Sequence, residues 1–154
     1  MKPIVAAFAM ALMALMAQGA WASDDDIMKV RAGSDVAGTM DALEAAVSGA
    51  GATVFARVDH AGGAASVDMD LAPSELLIFG NPMLGTPAMQ DNPLAGAYLP
   101  LKVLVYEDAQ GQVWLAYEDP EETLDDLPGI SDDAGYIAKM RGALRNLTAK
   151  AAGG

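Results

Sequence analysis

The chain has 154 residues, 9 Lys and Arg against 21 Asp and Glu, a formal net charge of -12 and no cysteine. Such an acid excess excludes nucleic acid and anionic membrane surfaces as primary partners, since both need a positive footprint. Disulfides and thiol chemistry are excluded outright, so packing alone must hold the core.

Residues 1–22 read as a secretory signal. Lys2 supplies a short basic region, the apolar run from Ile4 to Ala17 follows, and Ala20-Trp21-Ala22 offers small residues at both cleavage positions. The run is roughly 21 Å long as a helix, short of the roughly 30 Å hydrocarbon core of a bilayer. The expectation is therefore a periplasmic chain starting at Ser23, with no stable membrane anchor after cleavage. Cleavage removes Lys2 and no acid, taking the charge from -12 to -13.

Residues 23–26 form a flexible lead-in, and one domain spans 27–150 with a flexible tail at 151–154. Ile27 to Arg31 reads as a strand. Ser34 or Asp35 then caps a helix whose apolar residues, Val36, Met40, Leu43 and Val47, advance by helical steps. Thr53 to Val58 alternates as a strand, closed by Asp59-His60. The Gly-rich stretch from Ala61 to Ser66 leaves room for one short helical turn. Leu76 to Phe79 has the continuous apolar character of a central strand.

Four prolines make the span from Pro82 to Pro100 turn-rich, with a short helix expected from about Thr86 or Pro87 through Gln90. Leu101 to Tyr106 and Gln112 to Tyr117 flank a Gly-containing loop and form a hairpin. Pro120 to Asp133 reads as an acidic surface loop. Ala134 to Ala149 closes the chain as a helix carrying Ile137, Met140, Leu144 and Leu147 on one side. The order β-α-β-β-β-β-α predicts an α+β fold: a single, mostly antiparallel sheet with two main helices on one face.

Leu76-Leu77-Ile78-Phe79-Gly80-Asn81-Pro82, Gly85-Thr86-Pro87, Met89-Gln90, Leu99 to Val105, Glu107-Asp108, Gly111, Val113-Trp114, Tyr117 and Asp119-Pro120 fall in order along the chain. Together with Asp59-His60 they resemble the DUF302 family, from about Ala37 to Pro120 with a fainter echo in the last helix. The resemblance implies a small TBP-like α+β domain, in proteins often of unassigned function and sometimes dimeric. It implies no catalytic residue, while His60, Asn81, Thr86 and Gln90 match positions characteristic of the family.

His60 is the single histidine, which removes three-histidine zinc sites and iron triads within one subunit. The favoured expectation is a non-enzymatic domain, with no cofactor, that binds a small ligand or protein partner through the 81–98 segment. His60, Asn81, Thr86, Gln90 and Asp91 supply its hydrogen bonds, with Met83 and Met89 on the apolar side. The alternatives are a small enzyme using His60 as acid or base near Asp91, and a copper-handling protein holding Cu(I) with His60, Met83 and Met89. Trp114 shares a strand face with Gln112 and Ala116, opposite Val113, Leu115 and Tyr117. That makes Trp114 and Gln112 the interface candidates for a homodimer.

Overall fold

The computed structural model describes residues 27–153, so the signal segment and the lead-in lie outside the described residues. Five strands, β1 (Ile27–Arg31), β2 (Thr53–Asp59), β3 (Ser74–Gly80), β4 (Leu101–Glu107) and β5 (Val113–Glu118), form one sheet in the order β1-β5-β4-β3-β2. Every neighbouring pair is antiparallel. The expected α+β architecture is therefore the observed one.

Two helices cover one face, α1 (Val36–Gly49) and α5 (Gly135–Ala152). Their stripes meet Leu77, Phe79, Val103, Val105, Val113, Leu115 and Tyr117 of the sheet in one buried cluster. Asp35 is the residue that caps α1, accepting from the Gly38 backbone N–H at 2.8 Å. Arg57 then ties α1 to the sheet. Its Nη1 donates to Asp41 at 2.6 Å and to Glu44 at 3.4 Å, and its Nε donates to Glu75 on β3.

Three shorter α-helices lie among the described residues: α2 (His60–Ala65), α3 (Pro82–Asp91) and α4 (Pro120–Leu124). Asp59 caps α2, and a Cβ on Gly62 would stand 2.5 Å from its carboxylate, so only glycine fits beneath that cap. The helix α3 starts four residues before the expected Thr86, because Asn81 caps it through the Met83 N–H and Pro82 takes the first helical position. Pro87 therefore sits in the helix interior, where a proline costs about 3 kcal/mol. Burial offsets that cost: Ala88 and Leu84 pack with Ala95, Leu124, Ile130, Ile137 and Met140 in a second cluster.

The acidic stretch 120–133 is thus more than a surface loop, since Leu124 and Ile130 are core residues. Arg141 holds it down by hydrogen bonds to Asp119, at 2.9 Å from Nη2, and to Glu121. At the end of the chain α5 continues to Ala152 with Ala151 buried, past the boundary expected at 150.

Among the described residues one buried side-chain polar atom has no partner, the Thr39 hydroxyl inside the α1 interface. An unpaired buried hydroxyl carries a desolvation penalty of roughly 1–3 kcal/mol. Thr39→Val keeps the shape and removes the hydroxyl, and is expected to raise the unfolding free energy by about 1 kcal/mol in urea denaturation.

Candidate functional site

The residues singled out from the sequence do not form one constellation. His60 opens α2 and is exposed. Strand β2 runs antiparallel to β3 with Asp59 opposite Glu75 and Thr53 opposite Gly80. His60 and Asn81 therefore stand at opposite ends of the sheet, roughly 17 Å apart along β3. Asn81 spends its side-chain oxygen on the Met83 N–H at 2.9 Å. Asp91 accepts from the Tyr136 hydroxyl at 2.8 Å, and burial, together with that bond, pushes the Tyr136 pKa up to about 12. Thr86 and Gln90 are exposed on α3. Met83 is 81% exposed, while Met89 rests against Gly96 of the 3-10 turn Pro93–Ala97.

Gln112 is likewise committed to the fold. Its amide donates to the carbonyls of Ala32, at 3.1 Å, and Val113, at 2.7 Å, and its oxygen accepts from Arg31 Nε. Trp114 differs. Its indole N–H is satisfied by Asp108 Oδ2 at 2.8 Å, which leaves the partly exposed ring as a carbon surface.

That ring belongs to the sheet face that no helix among the described residues covers. Register arranges this face in three rows. The row at the Asn81 end carries Ile27, Glu118, Lys102, Ile78 and Ala56, and Lys102 Nζ lies 3.7 Å from Glu118. The middle row reads Lys29, Ala116, Leu104, Leu76 and Val58. The third carries Arg31, Trp114, Tyr106 and Ser74. At the β2 edge Phe55, 57% exposed, lies over Gly80, where a Cβ would approach its ring to 3.3 Å.

The middle of the face is hollow because Ala116 is small between Lys29 and Leu104. The concavity there measures about 420 Å³ and is lined by Ile27, Lys29, Leu76, Lys102, Leu104, Tyr106, Ala116, Tyr117 and Glu118. The sequence carried a signal for this surface. Leu76 and Ile78 are as apolar as their alternating neighbours Leu77 and Phe79, and Leu104 is as apolar as Val103 and Val105. Two single-striped helices can cover only one of those two sets.

Asp108 anchors the corner of this face. The Trp114 indole N–H, and then the backbone N–H groups of Gln112 and Gln110, hold its carboxyl below the ordinary Asp value of 3.8. A depressed folded pKa contributes stability that is full above the ordinary value and is lost as pH falls through the folded one. The Trp114 indole N–H resonance should therefore report an Asp108 titration with a midpoint below 3.8. In Trp114→Phe the Asp108 midpoint, read from its own carboxyl carbon, should rise.

A family model described as "Domain of unknown function DUF302" matches residues 28–147. The chain is 42% identical over 97 residues to "Fluoride-specific ion channel FluC 1" of Brucella suis biovar 1 (strain 1330), covering 63% of this chain and 38% of that protein. The same identity and length relate it to "Fluoride-specific ion channel FluC 2" of Brucella melitensis biotype 1 (strain ATCC 23456 / CCUG 17765 / NCTC 10094 / 16M), with 36% of that protein covered. The chain thus spans little more than a third of the length of these curated relatives. Among solved structures, the uncharacterized conserved DUF302 protein from Bacillus stearothermophilus shares the fold, with a TM-score of 0.73 at 19% identity over 82% of this chain and 98% of that one. With the family's pattern running through nearly all of the described sheet and helices, the chain belongs to the DUF302 family, a domain of unknown function.

Proposed function

We propose that this chain is a non-catalytic recognition domain that takes its ligand or partner on the open face of the sheet. The apolar hollow over Ala116 is the observation that carries this reading. An antiparallel sheet with one face in water ordinarily alternates apolar and polar residues. Here the water-facing set includes Leu76, Ile78, Leu104, Tyr106 and Trp114, and a contiguous apolar patch left open on a small domain marks an interaction site. A second copy is one partner such a face would accept, with Trp114 at the contact. The same proposal includes export: residues 1–22 direct the chain to the periplasm and are removed there.

The relatives' names bear on context rather than chemistry. Most of the 97 aligned residues necessarily fall in the folded domain, and no described helix is long and apolar enough to cross a membrane. On this reading ion conduction in those proteins belongs to the remainder of their length, and the shared part is the recognition module.

A second reading keeps the ligand on the 81–98 segment, with Asn81, Thr86, Gln90 and Asp91 as contacts and without His60, which stands at the other end of the sheet. Exposure of Met83, Leu94 and Tyr98 favours it. Acid–base catalysis by His60 near Asp91, and Cu(I) held by His60, Met83 and Met89, draw less support, because one subunit keeps His60 at the far end of the sheet.

The two surfaces are separated by binding of the neutral apolar dye N-phenyl-1-naphthylamine. Ala116→Phe, which fills the hollow, should abolish the fluorescence enhancement, and Met83→Ser should leave it unchanged. Loss on Met83→Ser with Ala116→Phe unaffected would move the site to the 81–98 segment. Unchanged urea midpoints would show both variants to be folded.

A further inference from the structure

We propose that the occupant of the open face is a second copy of this chain, seated on a two-fold axis that runs parallel to the strands over β4. The proposal rests on the recognition reading above and names its partner. Its first support is extent. A small molecule in the hollow would cover Ala116, Leu104 and Leu76 and leave Val58, Ile78 and Trp114 to water. Five strands about 4.8 Å apart and three rows about 6.8 Å apart make a face of roughly 500 Å². Two such faces bury roughly 1,000 Å², the least that a specific interface needs, so the expected dissociation constant is about 10–100 µM.

The second support is charge. Of the 21 acids in the chain, one, Glu118, holds a strand position on this face. It lies 3.7 Å from Lys102 Nζ, Arg31 donates to Gln112, and Lys29 is engaged as well. The charges of the face are thus answered within the chain and call for none on a partner. Two chains of charge -12 repel wherever their acids meet, and an acid-poor face is where they can touch.

The third support is the order of sizes, because a two-fold contact needs a patch that complements itself. Sheets stack face to face about 10 Å apart. A two-fold parallel to the strands over β4, the third of five, sets β4 on its own copy, β5 on β3 and β1 on β2, row against matching row. Small Ala116 then receives Leu76, small Ser74 receives Trp114, and small Ala56 receives Ile27. Leu104, at the centre of the middle row, meets its own copy on the axis and carries no charge. Lys102 meets its own copy too, each beside the Glu118 of its own chain. The Trp114 indole N–H keeps Asp108 as its acceptor, so covering the ring leaves that donor paired.

Sedimentation equilibrium at about 1–500 µM, which brackets the expected constant, should show monomer and dimer. Trp114 emission should shift to the blue over the same range. With Trp21→Phe it is the sole emitter of the full chain, which has two tryptophans. Ala116→Leu or Leu76→Ala alone should weaken the dimer about tenfold, and the two together should restore it, because both copies then offer the exchanged sizes. Strand β4 separates the two positions within one chain, so their direct packing inside it does not account for restoration. Leu104→Glu on the axis, and Ile78→Glu, which faces Glu118 of the partner subunit, should each give a monomer whose sheet face is open to solvent. Unchanged urea midpoints would show the variants to be folded.

A monomer throughout that range that still binds N-phenyl-1-naphthylamine in the hollow would overturn the second copy and leave the recognition reading standing. A monomer with no dye binding would overturn both. A dimer that survives Leu104→Glu and Ile78→Glu would put the contact elsewhere and overturn the proposal. So would a dimer that Ala116→Leu weakens and added Leu76→Ala does not restore.

Discussion

An antiparallel sheet has two faces, and the described residues of this chain supply helices for only one. That asymmetry governs the rest of the structure. The stripes of α1 and α5 bury Leu77, Val103, Val105 and Leu115 completely, which is what a one-sided core of this size requires. On the other side Leu76, Ile78, Leu104 and Tyr106 are only half covered, by their own neighbours in the sheet. Exposing an apolar face offers no gain to an isolated domain, and this is the ground on which we propose it as the recognition surface. The three-row register fixes the make-up of that face: small Ala116 at the centre, larger apolar residues toward β2, and Lys29 and Lys102 on either side.

The pairing pattern also separates features that look close in one dimension. His60, Asn81 and the 81–98 segment fall within forty residues of one another, and a sequence reading groups them naturally. Antiparallel pairing of β2 with β3 sends them to opposite ends of the sheet instead. The polar groups that looked available, Asn81, Asp91 and Gln112, are engaged in caps, a tyrosine hydrogen bond and strand pinning. They hold the scaffold rather than offering a pocket.

Much of the fold was legible in the chain because its signals are local. Helical spacing in Val36 to Val47 and Ile137 to Leu147, and the hairpin around Gly111, each follow from a few neighbouring residues. The DUF302 resemblance followed from ordered dipeptides in the same way. Less legible were features that depend on partners distant in sequence. Asn81 as the cap of α3 competes with Thr86 on propensity alone, and packing of Leu84 and Ala88 against α5 decides between them. Leu124 and Ile130 sit in an acidic stretch whose composition points to solvent, while their burial comes from α3 and α5. The hollow arises from Ala116 on β5, Leu104 on β4 and Lys29 on β1 standing side by side, a relation that no window of sequence contains.

The central claim is that one sheet face stays open in the isolated domain. Relaxation of side-chain methyl and aromatic protons by a soluble gadolinium chelate tests it most directly. The account predicts strong enhancement at Leu76, Leu104, Tyr106 and Trp114, with Leu77, Val103 and Leu115 protected. Equal protection of both sets would contradict it, because the face read here as a binding surface would already be covered.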